Sequence, residues 1–216
     1  MQVVDLSHVI SSDMPVFPGT EQPVFQKANT IEKDGFREAK ITMYSHTGTH
    51  IDAPAHMIEK ALCLDDLEID KYIGTAVIVD VSKSKLSLID LEALQSYAET
   101  INQADFLVLK TGWSRFWGQP NYYSGFPALS KEAAGWLSGF NLKGIGIDAI
   151  SIDSMDTEDF PIHKLFSEKN ILIIENLANL DLISQEIFIL SIMPLKTKAA
   201  DGSPVRAFAI LDAQLS

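Results

Sequence analysis

Three of the five histidines in this 216-residue chain fall within eleven residues, His46-Thr47-Gly48-Thr49-His50-Ile51-Asp52-Ala53-Pro54-Ala55-His56, with one carboxylate among them. Imidazole nitrogen plus carboxylate oxygen is a ligand set for Zn2+, Mn2+ or Fe2+. Such an ion lowers the pKa of its water toward about 7, so the chemistry on offer is hydrolysis at neutral pH. His46, His50, Asp52 and His56 occupy even positions and would share one face of an extended backbone. Full extension is excluded, because ten steps of roughly 3.3 Å would part His46 from His56 by about 33 Å. Two ligands of one ion must each reach to within about 2 Å of it. The segment therefore turns, and Gly48 and Pro54 are where it can. A helix would also pair His46 with His50, but Gly48, two threonines and Pro54 oppose one. The reading is a strand end entering a tight loop; the alternative is unrelated loop histidines beside a turn-forming aspartate.

Two later residues have matching chemistry. His163 lies in Pro161-Ile162-His163-Lys164-Leu165-Phe166, a short helix with proline in its first turn, where it is either exposed or a ligand. Glu175 follows the apolar run Ile171 to Ile174, so its carboxylate stands at the end of a buried strand. There it needs a cation or hydrogen-bond donors to stay ionised, unless that strand end reaches the surface. For a substrate wall the candidates are aromatic. Phe17, in Met14-Pro15-Val16-Phe17-Pro18-Gly19, either packs on the core or lines a pocket. Trp113, Trp117, Tyr122 and Tyr123 crowd one loop and either fill the core or hold a ring.

The elements that must position these groups are mostly strands. Val3 to Leu6, Ala76 to Val79, Phe106 to Leu109, Ile145 to Ile152 (carrying Asp148, with Asp153 next), Ile171 to Ile174 and Ile187 to Ile192 read as strands. Phe25 to Thr30 and Phe36 to Tyr44 flank a Lys33-Asp34-Gly35 turn, and Ser203 to Leu211 closes the chain as a final strand. Ser87-Leu88-Ile89-Asp90 fits a variant capping box and predicts a helix to about Ile101, with Leu91, Leu94, Ala98 and Ile101 inward. Ser130 caps a second helix, with Ala133, Trp136, Leu137 and Phe140 inward. This mixture predicts a mixed, β-rich α/β fold rather than regular βαβ repetition.

At 216 residues, 46% hydrophobic and 21% charged, one globular domain over 1–216 is expected. The net charge of −12 argues against nucleic acid or an anionic membrane surface as partner. A lone cysteine, Cys63, excludes an internal disulfide and suits a reducing compartment. With no signal-like N-terminus and no long apolar span, a cytoplasmic location is expected.

The histidine run, with Pro161-Ile162-His163-Lys164-Leu165 and Ile174-Glu175-Asn176-Leu177, resembles the cyclase-like metal-dependent hydrolases, which include bacterial kynurenine formamidase and isatin hydrolase. The likeness extends from Asp5-Leu6-Ser7 through Phe17-Pro18-Gly19 and Thr111-Gly112-Trp113 to Pro194-Leu195-Lys196 and Asp201-Gly202-Ser203-Pro204-Val205-Arg206. It implies a swivelling β/β/α domain, usually a homodimer, and two divalent ions, zinc in formamidases and manganese in isatin hydrolase. By matching positions, His46, His50 and Asp52 would bind the first ion and His163 and Glu175 would complete the pair. Asp52 and Glu175 would be candidates to bridge, and His56 would act as acid/base outside the metal shell. Thr49 and Thr20 stand where formamidases carry alanine and aspartate, and Thr49 matches the broader group.

The resemblance implies an amide hydrolase. N-formylkynurenine is the first expected substrate, and an isatin-like lactam the alternative. A metal- or ligand-binding protein without turnover would share the ligands but would not require His56. An iron-dependent oxidase is a weaker rival.

Overall fold

The computed structural model describes residues 1–83 and 87–211. A nine-stranded mixed sheet dominates, and its centre is parallel: β5 (Ile73–Asp80), β7 (Phe106–Lys110), β9 (Gly144–Ile147) and β10 (Leu172–Glu175) lie side by side. Beyond β5 lie β11 (Ile187–Ser191), β13 (Phe208–Leu211) and β1 (Gln2–Asp5), each antiparallel to its neighbour. Beyond β10 lie β4 (His50–Asp52) and β12 (Gly202–Pro204), also antiparallel.

The centre forms because its strands can bury both faces. Alternate residues point to opposite sides, and Phe106 to Leu109 are all fully buried. Leu107 and Leu109 join one core with Val77, Val79, Ile145, Ile147 and Ile173. Phe106 and Val108 join the other with Ala76, Leu172, Ile174, Phe188 and Leu190. Each such side chain contributes roughly 1.5–3 kcal/mol on burial. The first core is roofed by helices α4 (Lys131–Leu137) and α5 (Pro161–Glu168), through Ala133, Leu137, Ile162 and Phe166. Ser130 caps α4 as expected, its side chain accepting from the Ala133 amide.

Four expectations are corrected. Residues 87–101 are not one helix: β6 (Leu88–Ile89) pairs in parallel with β8 (Ala128–Leu129), and only single turns α2 (Glu92–Gln95) and α3 (Ala98–Ile101) follow. Asp90 rather than Ser87 takes an amide there, that of Ala93. The apolar stripe still holds, with Leu94 and Ile101 fully buried, because packing does not require a continuous helix. Ser203 to Leu211 divides into β12 and β13, which lie at opposite ends of the sheet. The strand expected to reach Ile152 ends at Ile147, since its neighbour in the sheet is paired only over Leu172 to Ile174.

The fourth correction concerns β2 (Val24–Asn29) and β3 (Glu38–Thr42), which pair as expected but are joined by a helical turn, α1 (Ile31–Asp34). Thr30 caps this turn and Gly35, at φ 77°, ends it. This hairpin packs on neither core: Val24, Phe25, Ile31, Phe36 and Ile41 are all exposed.

Candidate active site

Register and parity assemble the site. β4 pairs with β10 so that Ile51 faces Ile174, and both point into the second core. Alternation then sends His50 and Asp52 to the opposite face, together with Glu175, which is directly paired with His50. On that face α5 lies against β10 and delivers His163. The even-position reading is thus realised over β4, and the chain turns where expected: Gly48 has φ 67°, and Pro54 opens a 3-10 turn over Pro54–His56.

The inner groups are His50, Asp52, His163 and Glu175, all buried. His163 Nε2 lies 3.2 Å from Glu175 Oε1 and 3.6 Å from Asp52 Oδ2. His50 Nε2 lies 3.4 Å from Asp52 Oδ1 and 3.6 Å from Glu175 Oε2. Backbone and side chains fix their orientation. His50 Nδ1 sits 2.8 Å from the Gly48 carbonyl, whose oxygen also accepts from Asn176 Nδ2, and the Ile152 amide donates to Glu175 Oε1. Asp153 accepts from His163 Nδ1 at 2.7 Å.

The outer groups are half-exposed. His46 Nδ1 is 2.6 Å from Asp52 Oδ1, and its Nε2 is 3.2 Å from Asp201 Oδ2. His56 stacks near His46 with ring centroids 3.9 Å apart, and its Nδ1 lies 3.9 Å from Asp201 Oδ2. Gly202 makes room for this: a Cβ there would sit 2.6 Å from His46 Nε2.

Ionisation follows the geometry. Burial opposes the charge on Asp52, but His46 and His50 outweigh it and hold the carboxyl well below its usual range. Burial also disfavours imidazolium at His46 and His163, yet carboxylates prevail. Asp52 and Asp201 raise His46 to about 9, and Asp153, Glu175 and Asp52 raise His163 to about 10. His56 goes the other way, lowered by burial and then by His46 and His163 despite the opposing pull of Asp52.

A divalent ion fits this arrangement. His50, Asp52 and Glu175 present ligand atoms all within 4.8 Å of one another, and so do His46, Asp52 and His56. Asp52 belongs to both groups. Its Oδ2 is buried with no hydrogen-bond partner among the described residues, and a buried carboxylate oxygen left in that state is costly unless a cation meets it. The donor set of nitrogen and oxygen without thiolate suits zinc or manganese.

The inner groups His50, Asp52, His163 and Glu175 and the outer groups His46, His56 and Asp201 all line one cavity of about 430 Å³. Its apolar walls are Val16, Phe17, Tyr44, Met57, Ile150 and Phe160. Phe17 lines this cavity and Trp113 does not. Trp113 packs against Phe116 and Phe126 and donates its Nε1–H to the Tyr122 carbonyl, while Tyr122 is fully buried. The aromatic loop fills the first core because its rings find apolar partners and satisfied polar atoms there. Tyr44, Phe160 and Asp201 were not singled out by type or spacing. Asp201 stands beside Gly202, the glycine that admits His46, a neighbourhood visible only in the fold.

Comparison with known proteins agrees with this geometry. Residues 4–154 match the family model described as putative cyclase. The kynurenine formamidase of Bacillus cytotoxicus is 33% identical over 205 residues, covering 94% of this chain and 95% of that protein. Among solved structures, an isatin hydrolase bound to the product analogue thioisatinate superposes with TM-score 0.87 at 25% identity, covering 96% of this chain and 91% of that one. A potential metal-dependent hydrolase with cyclase activity superposes with TM-score 0.82 at 28% identity, covering 96% of each chain. The mixed sheet, the ligand cluster and these matches agree: the chain belongs to the cyclase-like family of metal-dependent hydrolases.

Proposed function

We propose that this chain hydrolyses the amide bond of a small aryl formamide, as its relatives named kynurenine formamidase do, with N-formylkynurenine as substrate and kynurenine and formate as products. One observation carries the reading: His56 and the side chains of His46, His50, Asp52, His163 and Glu175 line the same aromatic-walled cavity. In this reading His46, His50 and Asp52 would hold one ion, and His163 and Glu175 would complete a second site. Asp52 supports a shared centre, because its ligand atom lies within 4.8 Å of those of His46 and His56 and also of those of His50 and Glu175. Zn2+ is the first expectation and Mn2+ the alternative. Bound there, the ions would supply a water of lowered pKa and polarise a carbonyl oxygen.

The protein's own groups do the rest. His56, neutral at pH 7 because burial lowers its pKa, takes the proton from the attacking water. It then gives that proton to the amine nitrogen as the C–N bond breaks. With Nδ1 turned toward Asp201, Nε2 is the atom that carries the proton. Phe17, Tyr44 and Phe160 hold the aryl ring.

Turnover of a panel of formamides and lactams by metal-loaded protein tests this. Release of formate from N-formylkynurenine faster than from an aliphatic formamide is expected. Preferential opening of isatin would favour the second reading, which the likeness to the isatin hydrolase supports. Metal uptake without turnover of any member would leave a binding protein.

The exposed β2–β3 hairpin supports a homodimer, because a two-stranded ribbon is marginal in water unless its apolar side chains are covered. Light scattering should give twice the chain mass, and Phe25→Glu with Ile41→Glu should yield monomer. A single, free cysteine supports a reducing, cytoplasmic setting. Among the described residues no helix is long and apolar enough to cross a membrane.

A further inference from the structure

Helix α5 begins without the usual side-chain cap. The residue at its N-cap position is Phe160, in the left-handed region at φ 46°, and it offers no oxygen to the first amides. Asp153, seven residues upstream and almost fully buried, takes that place. Its carboxylate accepts from the Ile162 amide at 3.1 Å and from the His163 amide at 3.0 Å. Capping alone would be served by a serine or asparagine, at no cost of a buried charge. The shortest of these contacts, however, is the one to the imidazole, 2.7 Å to His163 Nδ1.

That contact decides which nitrogen faces the cluster. With Nδ1–H donating to Asp153, Nε2 is the nitrogen left to face Glu175 Oε1 and Asp52 Oδ2, and it would offer its lone pair once an ion displaced its proton. The neighbouring residue fixes the other partner, since the Ile152 amide donates to Glu175 Oε1 at 2.8 Å. One dipeptide thus sets the position of two groups from two different elements, a carboxylate from β10 and an imidazole from α5.

We propose that Asp153 is a positioning residue of the metal centre, holding His163 in the tautomer and orientation that bind an ion. The proposal rests on His163 being a ligand, as in the function proposed above. Its carboxylate never touches substrate or ion; it acts through the ring.

The test is metal affinity measured by chelator competition with Zn2+ and with Mn2+, in the wild type, Asp153→Asn, His163→Ala and the double variant. Asp153→Asn keeps the volume but replaces one acceptor with a donor facing other donors. It should weaken one ion about 10- to 100-fold, the same ion that His163→Ala weakens. In the His163→Ala background it should change nothing further, because its effect passes through the ring. A purely structural cap would instead lower the melting temperature in both backgrounds and leave the affinity of folded protein alone. Unchanged affinity in Asp153→Asn, with His163→Ala impaired, overturns the positioning role and leaves the metal centre standing. Unchanged affinity in His163→Ala, or no uptake by the wild type, overturns both. If Asp153→Asn does not fold, Asp153→Glu serves. It retains a charged cap but displaces it by a methylene, and the same ion must weaken; full affinity in that variant overturns the role.

Discussion

The two halves of the site are built differently. His50, Asp52, His163 and Glu175 are buried and held by a strand pair, a helix and backbone amides. His46, His56 and Asp201 are less buried and touch one another, with His46 also held by Asp52. Ligands of an ion need fixed positions and little water. A group that passes a proton to substrate and back needs access and a pKa near the working pH. Under the proposed function the difference in burial would separate holding from transferring, with His46 at the boundary because it touches both Asp52 and Asp201.

The largest effect should come from breaking the inner half. Removing metal with chelator, or His50→Ala, should reduce turnover to background, with elemental analysis showing the ions lost. Glu175→Gln keeps volume and should weaken at least one ion; unchanged stoichiometry and affinity there would place Glu175 outside the centre. The next effect belongs to the outer half. His56→Ala should keep its metal and lose about 10²- to 10⁴-fold in kcat. Since His56 also lies within ligand range of His46 and Asp52, loss of metal in this variant would move it to the inner group.

Asp201→Asn should cost less, about tenfold in kcat with metal retained, since it acts on the two histidines and not on substrate. A loss as large as that of His56→Ala would make it part of the proton transfer itself. The smallest effect is expected from Phe17→Ala. Loss of one ring contact, about 1 kcal/mol, should raise KM for an aryl formamide roughly fivefold and leave an aliphatic one unchanged. Equal changes for both substrates would remove Phe17 from the ring-binding wall.

The inner half was largely legible before folding was known. His50 and Asp52 share a face through period-two alternation, and Glu175 closes an apolar run, so local pattern carried both. His163 was equally compatible with an exposed helix position, because nothing local distinguishes a ligand from a solvated imidazole. Trp113 packs against the first core and does not line the cavity, because ring content marks burial but not which of two buried sides a loop faces. Residues 87–101 carried a helical stripe that β6 overrode by pairing Leu88 with Ala128 and Ile89 with Leu129. Asp153 and Asp201 act through partners 10 and 155 residues distant, and a single sequence holds no trace of such pairings.

Gly202 carries no chemistry, yet it should behave genetically like a ligand. A methyl group there would overlap the His46 ring, and β12 cannot retreat while it is laddered to β4. In a saturation screen scored for growth or turnover, position 202 should therefore tolerate no replacement, while its products remain abundant and soluble. Such a phenotype, read from a residue with nothing to donate or accept through a side chain, would mark the space a neighbour occupies.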